Sequence, residues 1–208
     1  MTAIIDYGVG NLFSLVSSFH KIGEDAVITA DKEVIESADR IILPGVGAFC
    51  DAAKKLKESG LIPVLMSQIK KGTPVMGICL GMQLLFEKSF EYGEYEGLSL
   101  LKGSIIPIAE VTKDLKIPHM GWNALKFRNG SHPLFKYIKE GDYVYFVHSF
   151  FASGCDDSVI AVSEYGAELT AACAKDNVMG CQFHPEKSGD VGLNILKAFC
   201  EMKEGKIC

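Results

Sequence analysis

Residues 77–81, with the sequence Gly-Ile-Cys-Leu-Gly, constrain the fold of this chain more than any other segment. They follow the apolar run 74–76 and precede a helical pattern over 82–87. A strand, a tight turn and a helix in this order form an elbow, in which a strained central residue is raised above the sheet and the flanking glycines avoid collisions. We therefore predict that Cys79 is a nucleophile whose thiolate is favoured by the helix dipole. The alternative interpretation is a buried structural cysteine.

The remainder of the first half has the rhythm of a parallel α/β protein. Apolar runs at 2–5, 26–28, 40–43 and 74–79 alternate with helical patterns at about 11–22, 48–58 and 61–70. Later runs at 104–108, 143–147, 159–163, 170–174 and 178–183 are closely spaced, before a final helix over about 190–203. We predict one α/β domain over residues 1–208, with a mostly parallel central sheet flanked by helices and additional antiparallel or mixed strands in the second half.

A general base for the nucleophile is predicted at His184. It follows the strand-like run 178–183 and is followed by Pro185 and Glu186. Residues two apart on an extended chain point to the same side, so Glu186 can reach the imidazole and fix its tautomer. An isolated His-x-Glu triplet is more often a surface loop. His148 competes for the role of base but has no carboxylate at a matching offset, and we interpret it as part of the pocket wall.

Two backbone amides should stabilise the oxyanion formed when the nucleophile attacks an amide. One is the amide of Leu80, directly after the nucleophile. The other is assigned to the glycine-spaced loop 43–49, for which a simple strand-to-helix turn is the alternative. Residues 6–11 resemble a nucleotide fingerprint only in part, because Phe13 stands where the third glycine is needed, and they are predicted to form a tight turn.

Composition limits the partners and the compartment. The net charge of −5 and the absence of a cationic cluster argue against nucleic acid or an anionic membrane as the main partner. No secretory signal or membrane span is readable. None of the seven cysteines lies within seven residues of another, so CxxC metal or redox motifs are excluded. We predict a cytoplasmic protein with reduced thiols, no cofactor and no metal.

The elbow around Cys79, together with His184, Pro185 and Glu186, resembles the class I (triad) glutamine amidotransferases. The resemblance is closer to one branch of that family, the glutaminase subunits of imidazole glycerol phosphate synthases. It extends over the whole chain and is carried by residues 6–11, 44–49, 79–86, 118–123, 145–149 and 184–188.

This resemblance implies a flavodoxin-like amidotransferase fold and hydrolysis of L-glutamine through a Cys79 thioester, with His184 protonating the departing ammonia. It implies that Val46 or Gly47 supplies the second oxyanion amide. Substrate would be held by Gly47, Gln83, His148, Ser149 and Phe150, although many members have tyrosine where this chain has Phe150.

The resemblance also implies a partner. Ammonia would pass to a (β/α)₈ cyclase subunit in a heterodimer that serves histidine biosynthesis, and Asn11, Trp122 and Lys187 would face that barrel. From the residues alone, Trp122 is either a core aromatic or an exposed anchor for another protein.

Three other functions stay open at the level of the sequence. The chain could be a paralogous amidotransferase that feeds ammonia to another synthetase, such as one for surface sugars. It could be a catalytically silent interaction module that keeps the elbow only as scaffold. It could also be a hydrolase of γ-glutamyl peptides that uses a similar elbow.

Overall fold

A computed structural model provides the structure of the protein and describes residues 1–128, 130 and 132–203. In these ranges the strands are β1 (Thr2–Ile5), β2 (Ala26–Thr29), β3 (Arg40–Leu43), β4 (Val75–Ile78), β5 (Lys88–Ser89), β6 (Tyr95–Glu96), β7 (Ser104–Pro107), β8 (His119–Ala124), β9 (Lys126–Phe127), β10 (Tyr143–His148), β11 (Phe150–Ser153), β12 (Val159–Glu164), β13 (Glu168–Lys175) and β14 (Val178–Cys181). The α-helices are α1 (Leu12–Lys21), α2 (Lys32–Glu36), α3 (Phe49–Glu58), α4 (Ile62–Lys71), α5 (Leu80–Gln83) and α6 (Gly189–Cys200).

The largest sheet in the described part of the chain has eight strands in the order β2-β1-β3-β4-β14-β13-β12-β9. The pairings from β2 through β14 are parallel, and those from β14 to β9 are antiparallel. Two smaller antiparallel or mixed sheets accompany it, one ordered β11-β7-β5-β6 and the other pairing β10 with β8. This arrangement is the predicted one, a parallel first half extended by antiparallel strands.

The first strand is buried at all four positions because both faces of the sheet are covered by helices. Ala3 and Ile5 belong to one core cluster, which includes Leu56 of α3 and Leu65 of α4. Ile4 points to the opposite face and joins a second cluster, which includes residues of α1 and α6. Side chains alternate between the faces of a strand, so one short run contributes to two cores.

The predicted bounds of the first-half elements differ from the observed ones by only one or two residues. The helix after the elbow is different, since it spans Leu80–Gln83 instead of 82–87. The strand predicted over 178–183 ends at Cys181. Residues 119–124, for which no strand was predicted, form strand β8. Helix α2 and strands β5, β6, β9 and β11 were not predicted, because two to five residues show too little periodicity to recognise.

The sheet order brings three loops to one edge. Strands β3, β4 and β14 are neighbours and run parallel, so their carboxyl ends lie side by side. The loop predicted to supply an oxyanion amide follows β3, Cys79 follows β4, and His184 comes shortly after β14. Ligands of open α/β sheets bind at this kind of edge.

Two further predictions concern the whole chain. The cysteines within the described residues, at 50, 79, 155, 173, 181 and 200, are free thiols, whereas Cys208 lies outside those residues. No helix in residues 1–128, 130 and 132–203 combines the length and apolarity needed to cross a membrane.

Candidate active site

Cys79 occupies the turn between β4 and α5 with a strained backbone. Its φ is 54° and its ψ is −112°, a region that residues other than glycine rarely adopt. Such a conformation costs on the order of 1–3 kcal/mol and persists only when the surroundings impose it. One restraint is the hydrogen bond from the Cys79 amide to the carbonyl of Cys181, at 2.8 Å. The elbow predicted from the sequence is therefore present.

The glycines on either side of Cys79 are required by space. A Cβ at Gly77 would lie 2.6 Å from the carbonyl oxygen of Gly81. A Cβ at Gly81 would lie 1.9 Å from the carbonyl oxygen of Leu43, at the end of β3. Both distances are far below a van der Waals contact, which confirms the predicted reason for the Gly-x-Cys-x-Gly spacing.

His184 and Glu186 form a buried pair. The His184 Nδ1 to Glu186 Oε1 distance is 2.8 Å, and only 3% and 1% of the two side chains are exposed. The segment is tied to β10, because the His184 amide donates to the carbonyl of Tyr145 at 2.9 Å. The hydroxyl of Ser188 donates to the His184 carbonyl at 2.6 Å. The predicted contact between the imidazole and the carboxylate two residues later is present. The segment is not extended as predicted, however, because Pro185–Lys187 form a short 3-10 helix, and this turn brings Glu186 back to the ring.

The charge state of His184 follows from its two neighbours. Burial alone lowers the pKa of His184, but the hydrogen bonds and charges of Cys79 and Glu186 outweigh it and raise the pKa to about 10. The imidazole is therefore protonated at neutral pH, and Cys79 and Glu186 are the two neighbours that favour the proton. Glu186 Oε2 is buried without a hydrogen-bond partner among the described residues, so the charge on His184 is the main compensation for this carboxylate.

The loop after β3 packs directly on the elbow. A Cβ at Gly45 would lie 2.6 Å from the Gly81 amide nitrogen, so only glycine permits this approach. The hydroxyl of Tyr7 donates to the carbonyl of Pro44 at 2.6 Å, which ties the turn of residues 6–11 to the same loop. Burial and, to a smaller extent, the charge of Cys79 raise the pKa of Tyr7. The turn predicted at 6–11 therefore supports the loop.

A cavity of about 370 Å³ opens in front of Cys79. Its walls contain every residue predicted to act in catalysis, oxyanion stabilisation or substrate binding except Glu186, namely Val46, Gly47, Cys79, Leu80, Gln83, His148, Ser149, Phe150 and His184. Gly47 has a φ of 94°, and nothing lies within 4 Å of the position that a Cβ would take there, so this peptide has room around it. The structure thus brings the predicted residues together, while their individual roles stay predictions.

Glu91 also lines the cavity and was missed by the sequence reasoning. Its Oε2 accepts a hydrogen bond from the Phe49 amide, the first residue of α3, at 2.6 Å. Burial, opposed by this hydrogen bond, raises the pKa of the Glu91 carboxyl. No local motif marks Glu91, because it reaches the site from an irregular segment between β5 and β6.

His148 is held in a chain of hydrogen bonds that excludes it as the general base. It lies opposite His119 in the antiparallel pair of β8 and β10. Its Nδ1 lies 2.8 Å from the carbonyl of Phe150, so it must donate, and its Nε2 lies 2.9 Å from His119 Nδ1. Burial is the main factor that lowers the pKa of His148 to about 3 and that of His119 to about 4. Both rings are neutral at pH 7, and both nitrogens of His148 are engaged.

This neutral pair predicts acid sensitivity. The folded-state pKa of each ring lies below the ordinary value of about 6.5, so unfolding takes up protons as the pH falls. The stability from these groups is complete above about pH 6.5 and is lost progressively toward pH 4, with a slope of up to about 1.4 kcal/mol per pH unit for each ring. We expect the free energy of unfolding, measured with urea, to decline between pH 6.5 and 5. In His119→Gln the slope of this decline should be smaller by the contribution of about one ring.

His20 supplies the control, because it is exposed at the end of α1. His20→Gln should leave the slope as in the wild type. Equal slopes for His119→Gln and the wild type would show that the pair does not titrate as described.

The residues predicted to face a partner lie partly on the rim of the cavity. Lys187 lines the cavity, and its Nζ lies 5.9 Å from the ring centre of Tyr145. Trp122 on β8 is 54% exposed and packs edge-on against the same tyrosine at 6.2 Å. Asn11 is half-buried directly before α1. The exposed position of Trp122 removes the alternative that it is a core aromatic.

Comparison with known proteins places this geometry in a family. Residues 3–202 match the family model described as "Glutamine amidotransferase class-I". The chain is 52% identical over 203 residues to a protein of Caldanaerobacter subterraneus subsp. tengcongensis named "Imidazole glycerol phosphate synthase subunit HisH", covering 97% of this chain and 98% of that protein. A protein of the same name from Lactococcus lactis is 50% identical, with 95% and 96% covered.

Solved structures share the fold at low sequence identity. A "Crystal structure of glutamine amidotransferase" has a TM-score of 0.73 at 18% identity and covers 95% of this chain and 98% of its own. The "Structure of PurLQS from Thermotoga maritima" has a TM-score of 0.73 at 20% identity, with 96% of both chains covered. At these identities the likeness concerns the fold alone.

Proposed function

This chain belongs to the class I glutamine amidotransferase family, and we propose that it is the glutamine-hydrolysing subunit of an imidazole glycerol phosphate synthase. The observation that carries the catalytic part is the convergence of Cys79, His184 and Glu186 at the carboxyl ends of two neighbouring parallel strands, beside a cavity large enough for an amino acid. The relatives of that name, about 50% identical along nearly their full lengths, support the assignment to this branch of the family.

The proposed chemistry uses the charge state of the site. The sulfur of Cys79 attacks the carboxamide carbon of glutamine, and the negative charge that develops on the oxygen is stabilised by the amide of Leu80 and by a second amide from Val46 or Gly47. The carbon–nitrogen bond then breaks as the His184 imidazolium gives its proton to the departing ammonia. Water attacks the resulting thioester with His184 as the base, which releases glutamate and restores the sulfur.

Glu91 is proposed to bind the α-ammonium group of glutamine. Its carboxylate is half-buried on the cavity wall, and its hydrogen bond to the Phe49 amide fixes its position at the start of α3. A partly desolvated carboxylate attracts an ammonium group more strongly than an exposed one does.

Glu91→Gln should therefore weaken substrate binding with little effect on the chemical step. Hydrogen bonds to charged groups contribute about 1.5–3 kcal/mol, so KM for glutamine should rise roughly 10- to 100-fold while kcat changes little. Glu94→Gln is the control, because Glu94 is exposed and pairs with Lys88 at 2.9 Å, away from this cavity. An unchanged KM in Glu91→Gln would refute the assignment.

The ammonia acceptor is proposed to be a (β/α)₈ cyclase subunit in the cytoplasm, with the heterodimer serving histidine biosynthesis. Lys187 on the cavity rim and exposed Trp122 next to it would lie in that interface, together with Asn11. The free thiols of the described cysteines agree with a reducing compartment.

Ammonia release from glutamine tests the function directly. The purified chain should release ammonia and glutamate slowly by itself and faster when the cyclase subunit of an imidazole glycerol phosphate synthase is added with its nucleotide. A diazo ketone analogue of glutamine should add its mass to Cys79. Release without any response to the cyclase would favour a paralogue with another acceptor. Hydrolysis of γ-glutamyl peptides in preference to glutamine would favour the hydrolase, and neither activity nor labelling would favour the silent interaction module.

A further inference from the structure

Gln182 is a fully buried amide that lies beside the nucleophile. It directly follows β14, whose last residue, Cys181, pairs with Ile78, the last residue of β4. The next residue on each strand is therefore adjacent, which places the Gln182 side chain next to Cys79. The Gln182 Nε2 to Cys79 Sγ distance is 3.7 Å, within the range of a hydrogen bond to sulfur. The side chain has 0% exposure and does not line the cavity, so it cannot reach glutamine itself.

The orientation of this amide is fixed by its neighbours. Gln83 Nε2 lies 3.1 Å from the carbonyl of Phe150 and 3.0 Å from Gln182 Oε1. A backbone carbonyl only accepts hydrogen bonds, so the nitrogen of Gln83 must be the atom that faces Phe150. That nitrogen also donates to Gln182, which leaves the Gln182 oxygen as acceptor and turns its N–H groups toward the sulfur. His148 donates to the same Phe150 carbonyl at 2.8 Å and holds it in place.

We propose that Gln182 is a positioning residue for the nucleophile. Its amide donates an N–H to the Cys79 sulfur and thereby fixes the position of the sulfur at the cavity wall. Hydrogen bonds to an ionised acceptor are stronger than those to a neutral one, so the amide favours the thiolate over the thiol. Gln83, predicted only to bind substrate, then has the additional task of orienting Gln182. The proposal rests on the nucleophilic role of Cys79 in the proposed function.

Gln182→Met tests the proposal by removing the donor at nearly constant volume. The readout is the rate of Cys79 alkylation by iodoacetamide as a function of pH, followed by mass spectrometry on the free chain, because only the thiolate reacts. We expect the profile to move to higher pH by about one unit, so that alkylation at neutral pH is roughly tenfold slower. A purely structural role for Gln182 would lower the melting temperature without moving this profile.

Gln68→Met is a matched control. Gln68 is also a buried amide, 2% exposed, with hydrogen bonds to the Glu36 carbonyl and the Thr73 hydroxyl, but it lies on α4 away from Cys79. It should destabilise the fold to a similar degree and leave the alkylation profile unchanged. If Gln182→Met does not fold, Gln182→Asn gives the same test, since its shorter amide cannot span the distance to the sulfur.

The outcomes separate this proposal from the proposed function. The positioning role would be overturned if the alkylation profile of Gln182→Met coincided with that of the wild type, whether or not glutamine is hydrolysed. If Gln182→Met does not fold, the same holds for the profile of Gln182→Asn. A shifted profile supports it even if the wild type fails to release ammonia from glutamine, because alkylation needs neither glutamine nor a partner. A shift of equal size in Gln68→Met would also overturn it, because the effect would then come from general loosening of the core.

Discussion

Replacing Cys79 with alanine should lower the rate of ammonia release from glutamine by about 10⁴-fold or more, because removal of the nucleophile of a triad leaves only binding and oxyanion stabilisation. The variant should fold, since the side chain is small and alanine can occupy its volume. Ammonia release is measured at saturating glutamine, both for the chain alone and with the cyclase subunit.

A second measurement links the same substitution to the electrostatics of the site. The hydrogen bond and the charge of Cys79 contribute to the raised pKa of His184, so the pKa should fall in Cys79→Ala, while Glu186 still supports the imidazolium. The His184 ring signals can be followed by NMR as a function of pH. Cys50→Ala is the control, because Cys50 is a half-buried thiol on α3 whose sulfur lies near Asp51. Wild-type ammonia release by Cys79→Ala would end the triad mechanism.

The fold was largely predictable because its first half is built from local patterns. Runs such as Thr2–Ile5 and Arg40–Leu43 are apolar at nearly every position, as expected for strands covered by helices on both faces. The second half was harder to predict. Strand β8 contains His119, Trp122 and Asn123, whose hydrogen bonds and ring contacts are made with distant segments, so its sequence shows no regular alternation. Tertiary pairing, and not local propensity, determines that strand.

The same distinction explains which site residues were found. Cys79, His184 and Glu186 belong to short motifs whose geometry is set within a few residues, and the structure brings them together. Gln182 and Glu91 gain their positions from neighbours far along the chain. Gln182 meets Cys79 only because β14 pairs with β4, and Glu91 meets Phe49 across 42 positions. Contacts of this kind depend on sheet order and on irregular segments, which one sequence does not specify.

Among substitutions that add one methyl group to the elbow, Gly81→Ala should destabilise the fold most. The new Cβ would lie 1.9 Å from the carbonyl oxygen of Leu43, a backbone atom that cannot rotate away. The strand β3 or the elbow must move, so we expect a loss of about 3 kcal/mol or more in the free energy of unfolding. Any folded fraction should have at least a roughly 100-fold lower rate of glutamine hydrolysis, since a shift of about 1 Å in the nucleophile has that effect.

Gly23→Ala is the matched control, because nothing lies within 4 Å of its Cβ position and its φ of 79° adds only backbone strain of about 1 kcal/mol. Both variants are compared by urea unfolding and by ammonia release from glutamine. If the two variants are equally stable and Gly81→Ala keeps its activity, the close approach of β3 to the elbow does not hold Cys79 in its strained conformation.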